Sequence, residues 1–115
     1  MKKWKQFEHY LAEKLKKLDS NARPTKASGG STELGDIYNK YLMIEAKQRN
    51  TKNITINIAT WEKNKADLPI NSRRIPILAL ENKDKKRFVV IEVDDFFDIL
   101  YEAYMEKLWL KRKKL

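Results

Sequence analysis

Residues 36–48 read Asp-Ile-Tyr-Asn-Lys-Tyr-Leu-Met-Ile-Glu-Ala-Lys-Gln, and this stretch decides the fold that the sequence predicts. Asn39-Lys40 suits a two-residue turn, because asparagine tolerates the positive φ that such turns require. After the turn, apolar side chains alternate as in a strand with one face on a core. We therefore predict a β-hairpin in which Ile37 lies opposite Leu42.

Hydrophobic spacing on both sides of the hairpin predicts the other elements. Residues 3–19 predict a helix with an inward stripe of Trp4, Phe7, Leu11, Leu15 and Leu18. A second helix is predicted over 57–67, and buried strands over 75–80 and 88–93. The last helix runs from a cap at Asp94 to about Leu110, with Phe96, Phe97, Leu100, Tyr104 and Leu108 facing inward. The expected fold class is α/β: one domain over 1–115, with a central mixed sheet flanked by helices.

Composition excludes several classes of site. The 115 residues include no cysteine and one histidine, His9, which excludes disulfide frameworks, cysteine-based zinc sites, thiol nucleophiles and histidine-rich metal sites. No apolar run approaches 18 residues and no signal peptide begins the chain, so we expect no membrane partner and a cytoplasmic location. Residues 20–35 match no P-loop or dinucleotide fingerprint, and we expect no nucleotide cofactor.

The formal net charge of +9 favours a polyanionic partner, and charge with aromatic content together favour nucleic acid. A lysine-rich surface that serves solubility is the alternative. The glycine-rich loop 20–35 can bring Arg23, Lys26 and its hydroxyl groups to a phosphate. A plain connector is the alternative for that loop.

Three side chains of the hairpin form a candidate site. In the predicted register Asp36 lies opposite Met43, so it shares a face with Glu45 and Lys47. The two carboxylates can hold Mg²⁺, and Lys47 can orient an attacking water or stabilise a phosphoryl transition state. The alternative is a solvated salt-bridge surface, and a turn one residue longer or shorter would move Asp36 to the other face.

Glu8 lies at the boundary between the inward stripe and water on the first helix. From there its carboxylate can reach around the edge of the core toward a site on the sheet. An ordinary flanking charge is the alternative.

The sequence resembles the PD-(D/E)XK nuclease superfamily, and within it the archaeal-type Holliday junction resolvases and their phage relatives. Gly35-Asp36-Ile37 and Glu45-Ala46-Lys47 carry the resemblance, extended by Gln48, Ser28-Gly29-Gly30 and Glu8. Gly35 stands where the superfamily has a proline.

The resemblance implies a restriction-endonuclease-like fold and a metal-dependent endonuclease. Mg²⁺, with Mn²⁺ as a substitute, would be bound by Asp36, Glu45 and the backbone carbonyl of Ala46. Lys47 would assist water attack and Glu8 would be an accessory acid. The expected DNA contacts are Arg23, Lys26, Ser28, Ser31, Gln48 and Arg49.

Among such nucleases, a domain of this size suits an enzyme that reads DNA shape and backbone. The expected function is resolution of four-way junctions by paired symmetric nicks, made by a homodimer in a prokaryotic or phage-infected cell. The alternatives are another small DNA nuclease of the same fold, acting in nicking, flap cleavage or repair, and a non-catalytic basic DNA-binding protein. A metal-free interaction module that uses the apolar C-terminal helix is a further possibility.

Overall fold

The computed structural model describes residues 2–18, 23–24, 37–38, 41–66, 68 and 72–113. The described elements, in chain order, are α1 (Lys3–Lys16), β1 (Arg23–Pro24), β2 (Ile37–Tyr38), β3 (Leu42–Gln48), α2 (Ile58–Ala66), β4 (Ile75–Glu81), β5 (Arg87–Val90) and α3 (Val93–Lys113). The result is a small α/β structure, as predicted. None of the helices in these ranges is long and apolar enough to cross a membrane.

The sheet is mixed and has the strand order β1-β2-β3-β4-β5. Its three longer strands are β3, β4 and β5, and β1 and β2 add two residues each at one side. Only β3 and β4 run parallel, from Leu42 beside Ile75 to Gln48 beside Glu81. The carboxyl ends of these two strands therefore meet at one edge of the sheet.

The hairpin of β2 and β3 is confirmed, but its predicted register is wrong. Ile37 pairs with Ile44, where Leu42 was expected. Four residues, 39–42, separate the paired residues Tyr38 and Met43, which rules out the predicted two-residue turn. The register has shifted by two residues, and an even shift leaves every side chain on its predicted face.

α1 packs on one face of the sheet, over β1, β2 and β3. Phe7, Leu15 and Ile37 are buried there together with Ile44 and Ala79. The predicted inward stripe was partly wrong, because Trp4 and Leu18 are exposed and Ala12 is buried instead. Leu18 lies beyond the end of α1, and Ala12 allows close approach of the helix to the sheet.

α2 lies over the other face of the sheet and packs on it through Trp61. Trp61 is buried against Leu78 and Leu80, with Ile54 and Val90 packed around them. The chain enters α2 through Asn57, whose side-chain oxygen accepts a hydrogen bond from the Thr60 N–H at 3.2 Å. This bond satisfies an amide that the helix itself leaves unpaired, so Asn57 is the N-cap of α2. The predicted helix 57–67 is thus confirmed to within one residue at each end.

β5 and α3 differ most from the prediction. Phe88 and Val89 are exposed on β5, so this strand is not buried as expected. α3 begins one residue before the predicted cap, which places Asp94 and Asp95 in its first turn. It makes no extensive contact with any other described helix or strand. The predicted inward stripe of α3 is therefore wrong: Phe96, Phe97, Tyr104 and Leu108 are exposed and Leu100 is only half-buried.

Candidate functional site

Glu45 and Lys47 lie on the same face of β3, as the hairpin pattern predicts. Each is half-buried, and they lie beside Leu78 and Leu80 of the parallel strand β4. Both leucines pack against Trp61, so this face of the sheet is the one on which α2 lies. Lys47 lines the space between the sheet and α2, and Glu45 lies on the same face of β3.

A cleft of about 210 Å³ opens there, and we call it the α2 cleft. Two cations, Lys47 and Arg49, form its charged side. Three polar side chains of the α2 region, Asn57, Thr60 and Asn64, lie across from them. Trp61, Leu78 and Leu80 form the apolar walls of the cleft. Beside such walls the half-buried Lys47 interacts more strongly with an anion than a cation in open solvent does.

Lys47 and Arg49 were predicted as site residues, whereas the polar side of this cleft was not. Asn57, Thr60 and Asn64 recur at spacings of three and four, which places them on one side of a helix. That spacing was a usable signal. What it lacked was the knowledge that this side of α2 faces Lys47, which depends on long-range packing.

A second group of cations lies on the α1 side of the same sheet edge. Lys3, Lys83 and Lys85 surround a small pocket of about 80 Å³, together with Gln6 and Gln48. The Lys3 ammonium donates a hydrogen bond of 3.5 Å to the side-chain oxygen of Asn50, just after β3. Positive charge therefore continues around the carboxyl ends of β3 and β4, from the α2 cleft to the N-terminal turn of α1.

Asn82 joins the two loops of this edge. Its side-chain nitrogen donates to the Lys52 carbonyl at 2.9 Å, and its side-chain oxygen accepts from the N–H groups of Asp84 and Lys86 at 2.9 Å each. Asn82 is buried, and Lys85 beside it has φ of 60°. We refer to loop 49–53 and turn 82–86, held together by Asn82, as the cationic edge.

Glu81 is buried at the end of β4 and is paired with Arg87. Its carboxylate accepts a hydrogen bond from the Arg87 Nε at 2.8 Å. The Arg87 guanidinium also stacks over Tyr10 of α1, 3.8 Å from the ring centroid. This carboxylate therefore belongs to the packing between α1 and the sheet, and the cationic edge keeps its positive charge.

Some of the remaining predicted site residues are described by the structure, and the others lie outside the described residues. Glu8 is half-buried on α1, on the sheet face opposite Lys47, and Ala46 packs on the α1 side between Glu45 and Lys47. Gln48 donates hydrogen bonds to the Arg49 carbonyl and to Asn50 at the carboxyl end of β3. The backbone of Arg23 forms part of β1. Asp36, Lys26, Ser28 and Ser31 lie outside the described residues.

Within the ranges that the structure describes, no three histidine, aspartate or glutamate side chains come close enough to hold a metal ion. Glu45 is thus the only carboxylate of the predicted metal pair whose position is described, since Asp36 falls outside those ranges. Comparison of the chain with protein-family models, with curated proteins and with solved structures finds no match.

Proposed function

We propose that the protein is a Mg²⁺-dependent, structure-selective DNA endonuclease that resolves four-way junctions. The observation that carries the proposal is the pairing of Ile37 with Ile44, next to Glu45 and Lys47 on the cleft face of β3. Asp36 immediately precedes Ile37 in the chain. If the antiparallel register continues for one more residue, Asp36 comes directly opposite Glu45, with their Cβ atoms about 5 Å apart.

A donor set of Asp36 and Glu45 would suit a magnesium ion. Carboxylate oxygens on neighbouring strands are the hard ligands that Mg²⁺ prefers, and one open side is left for waters and a phosphate oxygen. Asp36, Glu45 and the Ala46 carbonyl would hold the ion. When bound, it would neutralise charge on the scissile phosphate and lower the pKa of a coordinated water.

Lys47 supplies the second positive charge of the site. It follows Glu45 on the same face of β3 and lines the α2 cleft. There its ammonium group would orient the attacking water or stabilise the negative charge that develops on the phosphoryl oxygens. Glu8 would join this site only if its carboxylate reached around the sheet from the α1 side.

The cationic edge supports DNA as the substrate. Arg49, Lys52, Lys83 and Lys85 lie on its two loops, next to the α2 cleft. Contacts from such cations to phosphates position a protein on DNA without reading its sequence, which suits recognition by shape. Paired symmetric nicks require two sites related by a two-fold axis, and a homodimer would provide them.

The test is cleavage of a labelled immobile four-way junction beside a linear duplex of matched sequence, in Mg²⁺. We expect paired nicks on the junction only, lost with chelator and restored by Mn²⁺. Asp36→Asn and Lys47→Met should each slow cleavage by at least about a hundredfold without loss of binding. Lys63→Met, at an exposed lysine of α2, is the matched control and should cut normally.

Each other outcome selects a different function. Equal cutting of junction and duplex would keep the metal site and remove the junction selectivity. Binding of DNA by wild type and variants alike, without any cutting, would mean a non-catalytic DNA-binding protein. Neither binding nor cutting would leave an interaction module. Normal cleavage by Lys47→Met would remove Lys47 from the mechanism, and the same assay on Glu8→Gln decides whether Glu8 belongs to the acid set.

A further inference from the structure

α3 presents a continuous apolar stripe to solvent. Val93, Phe97, Tyr101, Tyr104 and Leu108 recur at spacings of four, four, three and four, which places them along one side of the helix. Each of the five is between 53% and 67% exposed. The helix of 21 residues is about 32 Å long, and the stripe from Val93 to Leu108 covers about 22 Å of it.

The exposed surface is too apolar to be an ordinary solvent-facing helix. Phe96, Ile99, Met105 and Leu110 are also exposed around the same helix. Phe88 and Val89 of β5, shortly before α3 in the chain, are exposed as well. Contiguous apolar surface of this extent marks a contact with another molecule.

Charge along α3 identifies the partner. Residues 93–106 contain five acidic and no basic side chains, whereas 107–113 contain four basic and no acidic side chains. The helix dipole favours such charges only in the first and last turns. Glu102, Glu106 and Lys107 lie outside those turns, so the dipole does not account for them.

We propose that α3 pairs with α3 of a second copy of this chain, antiparallel and about a two-fold axis near its midpoint. The acidic half of each helix then lies beside the basic half of the other, and the two apolar stripes bury each other. A parallel pair would place acid beside acid and base beside base. A two-fold contact of this kind closes on itself, which limits the assembly to a dimer.

This interface depends on α3 alone and not on the cleavage chemistry, so the dimer and the nuclease can fail separately. Sedimentation velocity of the full chain over a concentration series should show a reversible dimer. Phe97→Glu with Tyr104→Glu should weaken dimerisation at least tenfold, with helix content checked by circular dichroism. A wild-type chain that stays monomeric, or a variant that dimerises as tightly as wild type, would overturn the proposal.

Charge exchange tests the antiparallel arrangement without touching the apolar stripe. Asp94→Lys with Asp98→Lys makes one chain basic along α3, and Lys111→Glu with Arg112→Glu makes another acidic. Each should lose self-association at least tenfold, and an equimolar mixture should recover a heterodimer. Failure of the mixture to associate more strongly than either variant alone would contradict the pairing.

Because the chain has no cysteine, introduced cysteines report the orientation directly. Val93→Cys and Lys111→Cys lie on the same side of α3 near its opposite ends. In an antiparallel pair the two variants form a mixed disulfide on oxidation, and neither forms a disulfide with itself. Self-crosslinking of Val93→Cys would show a parallel pair and overturn the arrangement.

Discussion

Glu92 accepts two hydrogen bonds from α2, from the Lys65 ammonium at 2.7 Å and from the Trp61 indole at 2.9 Å. The bond from Lys65, followed by the bond from Trp61, lowers the pKa of Glu92. The same bond from Glu92 is the main cause that raises the pKa of Lys65. Since Glu92 is the last residue before α3, this carboxylate fixes the point at which that helix leaves the sheet.

The ion pair predicts a specific dependence of stability on pH. A carboxylate with a lowered pKa stabilises the fold above its ordinary value, here 4.5, and loses that effect as pH falls through the folded-state pKa. Lys65, whose pKa is raised, shows the opposite dependence. Its contribution to the stability of the fold is complete below pH 10.5 and is lost as the pH rises through its folded-state pKa. Between these limits the full contribution of the pair is present.

The measurement is urea unfolding of wild type and Glu92→Gln from pH 7 downward. Wild type should be the more stable at pH 7, and the difference should shrink below pH 4.5 as Glu92 is protonated. High salt should also reduce it, because the pair is partly exposed. Glu13→Gln, which removes the more exposed ion pair of Glu13 with Lys16 on α1, is the control and should change stability little. A difference that persists unchanged into acid would show that Glu92 contributes through packing rather than charge.

At the scale of elements, the β4–β5 hairpin depends on the pair of Glu81 and Arg87. Arg87→Met would leave the buried Glu81 carboxylate without its cation and would remove the stacking on Tyr10. We expect a loss of about 2 kcal/mol in the free energy of unfolding, measured in urea. Adding Glu81→Gln should recover part of this loss, because the buried charge is then gone.

Lys86→Met, at the exposed neighbour of Arg87, is the control for this experiment and should change stability little. If the double variant is less stable than Arg87→Met by the full cost of Glu81→Gln alone, then the two side chains act independently. That result would contradict the assignment of the pair.

Elements whose periodicity reflects local contacts were predictable, and their arrangement was less so. The helices α1 and α2 and the alternation in β3 follow from spacing alone. The register of Ile37 with Ile44 does not, because turn length at 39–40 cannot be inferred from residue preference. The stripe of α3 predicted a buried helix face, but a stripe does not say whether the covering surface lies in the same chain.

The candidate site was predictable to a similar degree. Glu45 and Lys47 share a face because side chains alternate in any strand, whatever its register. The position of Lys47 in one cleft with Trp61 and Asn57 depends on the fold of the whole chain and could not be predicted from the spacing. The pair of Glu81 and Arg87 was not predicted, although Glu81 lies opposite Arg87 across the five residues 82–86 of the hairpin.

For the molecule as a whole, the proposed binding of DNA at the cationic edge implies a dependence on salt. Each lysine that contacts a phosphate adds about one to the slope of log affinity against log salt concentration. Lys83→Ala, on turn 82–86, should reduce this slope by about one, as measured by fluorescence anisotropy with a labelled junction. Lys17→Ala, exposed just after α1, carries the same charge change and should leave the slope closer to that of wild type. Equal effects of the two variants would mean that net charge, and not the cationic edge, governs binding.

The hydrogen bonds of Asn82 have a consequence for the cost of recognition. They join two loops that carry like charges, so the repulsion among those cations is already overcome when the chain folds. A polyanion that binds the cationic edge finds its cations already in place. Little binding free energy is therefore lost in bringing these side chains together. In the folded chain these cations repel one another, and a bound counterion or ligand reduces that repulsion. Binding of a polyanion to the cationic edge would therefore also stabilise the folded protein.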